Sequence, residues 1–362
     1  MGNTKKKIGL FTCVATGIGA IIGSGIFGSL PAEINEIGDA VVIAFILATI
    51  YKLAASFPAV YSSSIIPASG SFFLMPTKLI HPAVGLYMAV QNLLQPVLVS
   101  VFAVLFSDYF CSIFTGLKGH ETMVSVAILV IYGIMAYMGT YLFASINSLI
   151  VTTLSDVAKG FMNPGLVVFF VVGGPLCGVL TSMVPVIMLT CAQIQAAADC
   201  GVFPKALAKK NKNGVSTGIL IYVMLFAIIC VLTGSSFGVL MTVFSAVNAL
   251  SDIPTCIVPF FLKKKYPHAC NHAGIKFKYG MIIVLSVFAA VVAAFLAFSA
   301  FKALGASVYL IILAYMAAAV VYFIARIKYL KGKGRNLIEE LKTPYDEWEA
   351  REAECKAMDE AK

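Results

Sequence analysis

Residues 17 to 31 read GIGAIIGSGIFGSLP and hold five glycines between Gly17 and Gly28, inside a run apolar enough to cross a bilayer. Adjacent glycines lower helix propensity by about 1 kcal/mol each, so Gly23-Ser24-Gly25 predicts a local break in a membrane helix. Close helix packing is the competing reading, because Gly19 and Gly23 form a G-x-x-x-G step. Irregular backbone at membrane depth is tolerated only where it lines a protein-enclosed cavity, and there its freed N–H and C=O groups can hold a small molecule's charged ends. With Gly23 opening the break, the amides around Ser24, Gly25 and Ile26 suit a carboxylate, and the carbonyls near Ala20 and Ile21 suit an ammonium. The spacing G-x-G-x-x-x-G, with no strand before it, is not a dinucleotide-binding loop.

Ionisable residues inside apolar runs are the second group. Lys52 lies near the middle of the second run and Asp252 near the middle of the run from 239 to 262. Each is by default a coupling or gating candidate; the alternatives are snorkelling or a structural pair. Asp156 and Lys159 stand three apart on one helix face, where they could neutralise each other. Gln91, Asn92 and Gln95 cluster within one turn, either lining a cavity or bonding between helices. The four histidines offer no nucleophile pair inside a span, and the H-x-C-x-H cluster at His268, Cys270 and His272 lacks a second ligand pair. It reads as a solvated loop. No metal, cofactor or enzymatic chemistry is expected.

The elements that must carry these residues follow from composition. Of 362 residues, 60% are hydrophobic and 12% charged, against about 45–50% and 25% in soluble domains. The bilayer is the fitting solvent. A span needs about 20 apolar residues, and such runs fall at about 8–31, 39–66, 83–115, 122–141, 166–200, 217–238, 239–262, 279–301 and 305–328. A tenth, weaker one lies between Tyr141 and Gly165. The fold class is therefore an all-α polytopic membrane protein with about nine or ten transmembrane helices.

Charge orients the spans. The net charge of +9 comes from clumps at Lys5–Lys7, Lys205–Lys212, Lys263–Lys278 and Arg326–Arg335. No aromatic residues interleave with them to stack bases, so no nucleic acid is expected. Basic loops face the cytoplasm, and ten spans put all four clumps and both termini there. With nine spans, the clumps after Asp199 and Leu262 fall on the wrong side, which favours a crossing in 141–165. The nine cysteines form no C-x-x-C pair and read as small buried hydrophobes. The apolar run from Ile8 to Leu30 lacks an A-x-A cleavage pattern and reads as an uncleaved first span. Residues 339 to 362, with nine acidic and four basic side chains, read as a solvated cytoplasmic helix or frayed tail.

GIGAIIGSGIFGSLP resembles the first helix of permeases of the amino acid–polyamine–organocation superfamily, which carries a glycine-serine-glycine break. FPAVYSSSIIPASGSFF at 57–73 is similar to the end of that family's second helix, and AAADCGVFPKALAKKNKNG at 196–214 to the end of its eighth and the basic loop beyond. The resemblance implies an inverted five-plus-five helix repeat with two flanking spans and a midplane site. It also implies movement of amino acids or related amines by alternating access, coupled to a proton or cation gradient or to exchange. A lysine in the family's fifth helix has a coupling role in proton-linked members, to which Lys159 could correspond.

The likeness divides the chain into a permease-like region, 1–328, and a charged tail, 329–362. Within the first, 1–154 corresponds to helices one to four and the start of five, 155–165 to a junction, and 166–328 to helices eight to twelve. The family's sixth helix and parts of its fifth and seventh have no counterpart, and no second glycine-rich break follows residue 31. A truncated gene model, a subunit completed by another copy, and a remodelled carrier would each account for this. The expectation is an amino acid permease-like secondary transporter of the cell membrane, with a homo-oligomer compatible. The alternative is a non-transporting remnant or subunit.

Overall fold

A computed structural model describes residues 30–139, 176–275 and 277–360. Among them the protein is helical, the only β-pairing being a bridge between Lys210 and Ser216. The helices are α1 (Leu30–Ile37), α2 (Ala40–Ile65), α3 (Ser71–Met75, continued by a π turn to Ile80), α4 (Pro82–Leu94), α5 (Pro96–Ile113) and α6 (Glu121–Tyr137). Then come α7 (Cys177–Asp199), α8 (Thr217–Leu232), α9 (Phe237–Lys265), α10 (Pro267–Asn271) and α11 (Tyr279–Ala303). The last three are α12 (Ala306–Gly332), α13 (Leu337–Lys342) and α14 (Asp346–Glu360).

Among the described residues, six helical segments are long and apolar enough to cross a membrane: Ala40–Ile65, Pro82–Ile113, Gly178–Asp199, Phe237–Lys265, Tyr279–Ala303 and Val308–Gly332. Ser71–Ile80, Glu121–Tyr137 and Thr217–Leu232 are shorter apolar helices. The expected spans at 8–31 and 141–165 lie outside the described residues. The run at 83–115 is two helices meeting at Gln95, because Pro96 has no N–H to continue the ladder.

The outward faces identify the solvent. On α11, Ile282, Ser286, Ala289, Ala293 and Ala297 recur every three or four residues and are buried, while Val284, Val291, Phe295 and Phe298 are exposed. A water-soluble helix would show the reverse polarity. Small residues inward and large apolar ones outward are how helices pack in lipid, where close backbone approach replaces hydrophobic burial. α2 likewise turns large apolar residues outward, with Ile43, Ile46, Leu47 and Ile50 exposed and Tyr51 and Ala54 buried.

Two compact units divide the chain. In one, comprising residues 1–41, 95–191 and 206–241, helices α5, α6 and α8 pack against one another. Ser125 on α6 donates to the hydroxyl of Ser107 (2.8 Å) and the carbonyl of Ala103 on α5, and Tyr132 donates to the Leu180 carbonyl (2.9 Å). Asn211 donates to the final carbonyl of α6 at Tyr137 while its Oδ1 accepts from the amides of Asn213 and Val215, so one side chain caps a helix and folds a turn. The other unit, 42–94, 192–205 and 242–362, holds the remaining elements described below.

Candidate functional site

Lys52 and Asp252, singled out as lone charges in separate runs, face each other. Lys52 Nζ lies 2.8 Å from Asp252 Oδ2, which also accepts the Tyr51 hydroxyl at 2.8 Å. Both charges sit near the middle of their helices, α2 and α9. The flank is sealed by Tyr51 together with Ala54, Cys256, Ala289 and Ala293, and the small side chains of the last four let α2, α9 and α11 approach closely. Asp252 is 17% exposed and Lys52 56%. The carboxylate is thus held between helices while the lysine stem lies along the protein's edge. In hydrocarbon either charge alone would cost about 2.5–3.5 kcal/mol on an insertion scale; paired and bonded to a tyrosine, they are satisfied. Two donors on one carboxylate oxygen make a polar clamp that holds the two helices together. Tyr51 escaped the sequence reading because an aromatic beside a lysine in an apolar run looks like ordinary core.

The two motifs at 57–73 and 196–214 meet. Gly70 has φ +76°, and a Cβ there would overlap the Ala196 side chain and press on the Ala192 carbonyl at 3.1 Å. Only glycine fits on both counts. Gln193 accepts from the Phe73 amide at 3.2 Å, tying the same two segments by hydrogen bond, while Gln195 donates to Asp199 within α7 at 2.7 Å. Beyond α7, Gly201 turns the chain at φ +83°. Arg326 on α12 donates to the carbonyls of Gly201 and Phe203, and Tyr322 to that of Val202. The turn within the third motif is therefore held through three of its backbone carbonyls.

Between the clamp and this junction lies a cleft of about 290 Å³, open at its mouth and lined by Ala59, Ser62, Ser63, Ser71, Phe72, Thr255 and Val258. Its hydroxyls at Ser62 and Thr255 donate back to Pro58 and Ser251 of their own helices, so the walls are mainly apolar. Gln91 donates to the Tyr87 hydroxyl on its own helix, not across helices, and Asn92 is buried with its Nδ2 unpartnered.

Among the described residues no cluster could hold a metal ion. His268 and His272 are not merely solvated: both contact Asp359 on α14, at 2.9 and 2.7 Å. Ala20, Ile21, Gly23, Ser24, Gly25, Ile26 and Lys159 lie outside the described residues.

Residues 153–320 match the amino acid permease family model. Over 117 residues the chain is 31% identical to the branched-chain amino acid permease BcaP of Bacillus subtilis (strain 168), a stretch that is 32% of this chain and 25% of that protein. The chain thus matches about a quarter of that relative's length. Both matches are to amino acid permeases. With helices apolar on their outer faces, these matches make the chain a membrane protein similar in part to amino acid permeases.

Proposed function

We propose that the chain is a secondary transporter that moves amino acids or related amines across the cell membrane by proton or cation symport or by exchange, with both termini cytoplasmic. The observation that carries this reading is the family match over residues 153–320. The substrate would rest on the broken first helix, its carboxylate on the amides of Gly23, Ser24, Gly25 and Ile26 and its ammonium near the carbonyls of Ala20 and Ile21. Lys52 and Asp252 would serve coupling or gating, since their ion pair joins α2 to α9 at membrane depth, and Lys159 is a further coupling candidate. The domains would be a permease-like region over 1–328 and a cytoplasmic tail over 329–362, with association into homo-oligomers.

The relative's name, a branched-chain amino acid permease, suggests the first panel: labelled leucine, isoleucine and valine offered to proteoliposomes holding the full chain, with and without an inward proton gradient. Saturable uptake that the gradient enhances supports symport, and uptake only against preloaded substrate supports exchange. A second reading, a non-transporting remnant or subunit, is favoured by the lack of a second glycine-rich break after residue 31. The opposing broken helix would supply half of the site's polar groups. That reading predicts that Gly25→Leu changes no transport signal, because none exists.

A further inference from the structure

The turn between α9 and α11 is covered by the chain's own last helix. Trp348, Glu352, Cys355 and Asp359 stand at i, i+4, i+7 and i+11 on α14 and form the stripe that meets it. Trp348 is 1% exposed and Cys355 5%, with the Trp348 ring edge-on to Tyr266 at 6.4 Å between centroids. Glu352 accepts from the amides of His268 (3.0 Å) and Ala269 (2.7 Å), and Glu349 from the Tyr266 hydroxyl (2.9 Å). At the far end, Asp359 Oδ2 faces His268 Nδ1 at 2.9 Å and accepts from Asn271 at 3.3 Å, while Oδ1 faces His272 Nε2 at 2.7 Å.

We propose that this turn is a proton-governed docking site for the acidic helix α14, in which His268 and His272 clasp Asp359 more tightly as pH falls. A neutral imidazole holds the carboxylate through one N–H; protonation keeps that N–H and adds a positive charge against it. The other groups facing the clasp do not compete in the same range. On α14, Glu352 is committed to two amides, and Glu360 pairs with Lys356. Lys263 of α9 lies over the Tyr279 ring. Burial pushes the Cys270 thiol up to about 11 and raises that of Cys355, so both stay neutral. Hydrogen bonds from His268, His272 and Asn271 hold the Asp359 carboxyl well below the usual carboxylate range. Its contribution is therefore present above the ordinary aspartate value, about 3.9, and fades only as pH falls through the lowered one. That leaves the two imidazoles, each in contact with Asp359, as the groups that set the strength of docking.

Trp348 is the chain's one tryptophan, so its emission reports docking without a label. The full chain in nanodiscs would be followed from about pH 8 to about pH 5.5 by hydrogen exchange of the α14 amides, corrected for intrinsic rates, alongside Trp348 emission. The expected result is protection rising about threefold per imidazole, about tenfold together. His268→Gln/His272→Gln should keep a buried Trp348 but lose the pH response, and Asp359→Asn should lower protection throughout. Protection independent of pH in the unaltered chain would overturn the proposal. So would an unchanged slope in the double variant, and a variant that fails to fold leaves the first criterion standing.

Discussion

Asp252 carries more than its own charge, because its Oδ2 is the acceptor for both Lys52 and Tyr51. Asp252→Asn should leave Lys52 unpaired at membrane depth and lower stability by about 2–3 kcal/mol, read as a fall in unfolding temperature in detergent. The swap Lys52→Asp with Asp252→Lys should recover much of that loss, since the pair's geometry depends on opposite charges and not on which helix bears which. Gly70 makes a sharper case. Alanine there meets the Ala196 side chain at a positive φ, and strain and overlap should together cost about 2 kcal/mol or more. Gly38, also at positive φ but with open space around it, should lose less, which separates backbone strain from crowding.

At the scale of elements, the ends of spans are fastened by long basic side chains that reach exposed carbonyls. Lys78 donates to the carbonyls of Glu340 and Thr343 at the end of α13, and Lys265 to the Lys78 carbonyl, each at 2.8 Å. Lys78→Met should free α13 by about 1–3 kcal/mol, seen as faster exchange and proteolysis around 337–345 while α11 is unchanged. A pH effect follows at the same helix. The Arg335 guanidinium holds the Glu340 carboxyl below its ordinary value. Its modest, solvent-screened contribution is present above about pH 4.3 and is lost as pH falls through the lowered value; Glu340→Gln should abolish that acid-side loosening of α13.

For the whole molecule, the membrane-spanning design was legible because hydropathy is a property of single runs. The runs at 39–66, 217–238 and 279–301 fall on α2, α8 and α11 with ends within a few residues, apart from α8, which stops at Leu232 where Gly234 turns the chain at φ +67°. Pairings between distant runs were not legible: Lys52 and Asp252 are 200 positions apart, and nothing in either run names the other. The tail is helical as expected, but its docked face was not legible, for a related reason. Its acidic residues look solvated one at a time, and only their spacing at 348, 352, 355 and 359, set against His268 and His272, reveals a docked face. Cysteine labelling at residues 3 and 350 should report one side of the membrane for both if the crossings are even in number. The proposed transport depends on a substrate site in the glycine-rich run at residues 17–31. Counterflow of labelled amino acids in proteoliposomes, comparing the unaltered chain with Gly25→Leu, tests it most directly. Saturable exchange that the substitution removes while the protein stays folded is expected; no movement of any amino acid or amine by the unaltered chain would contradict it.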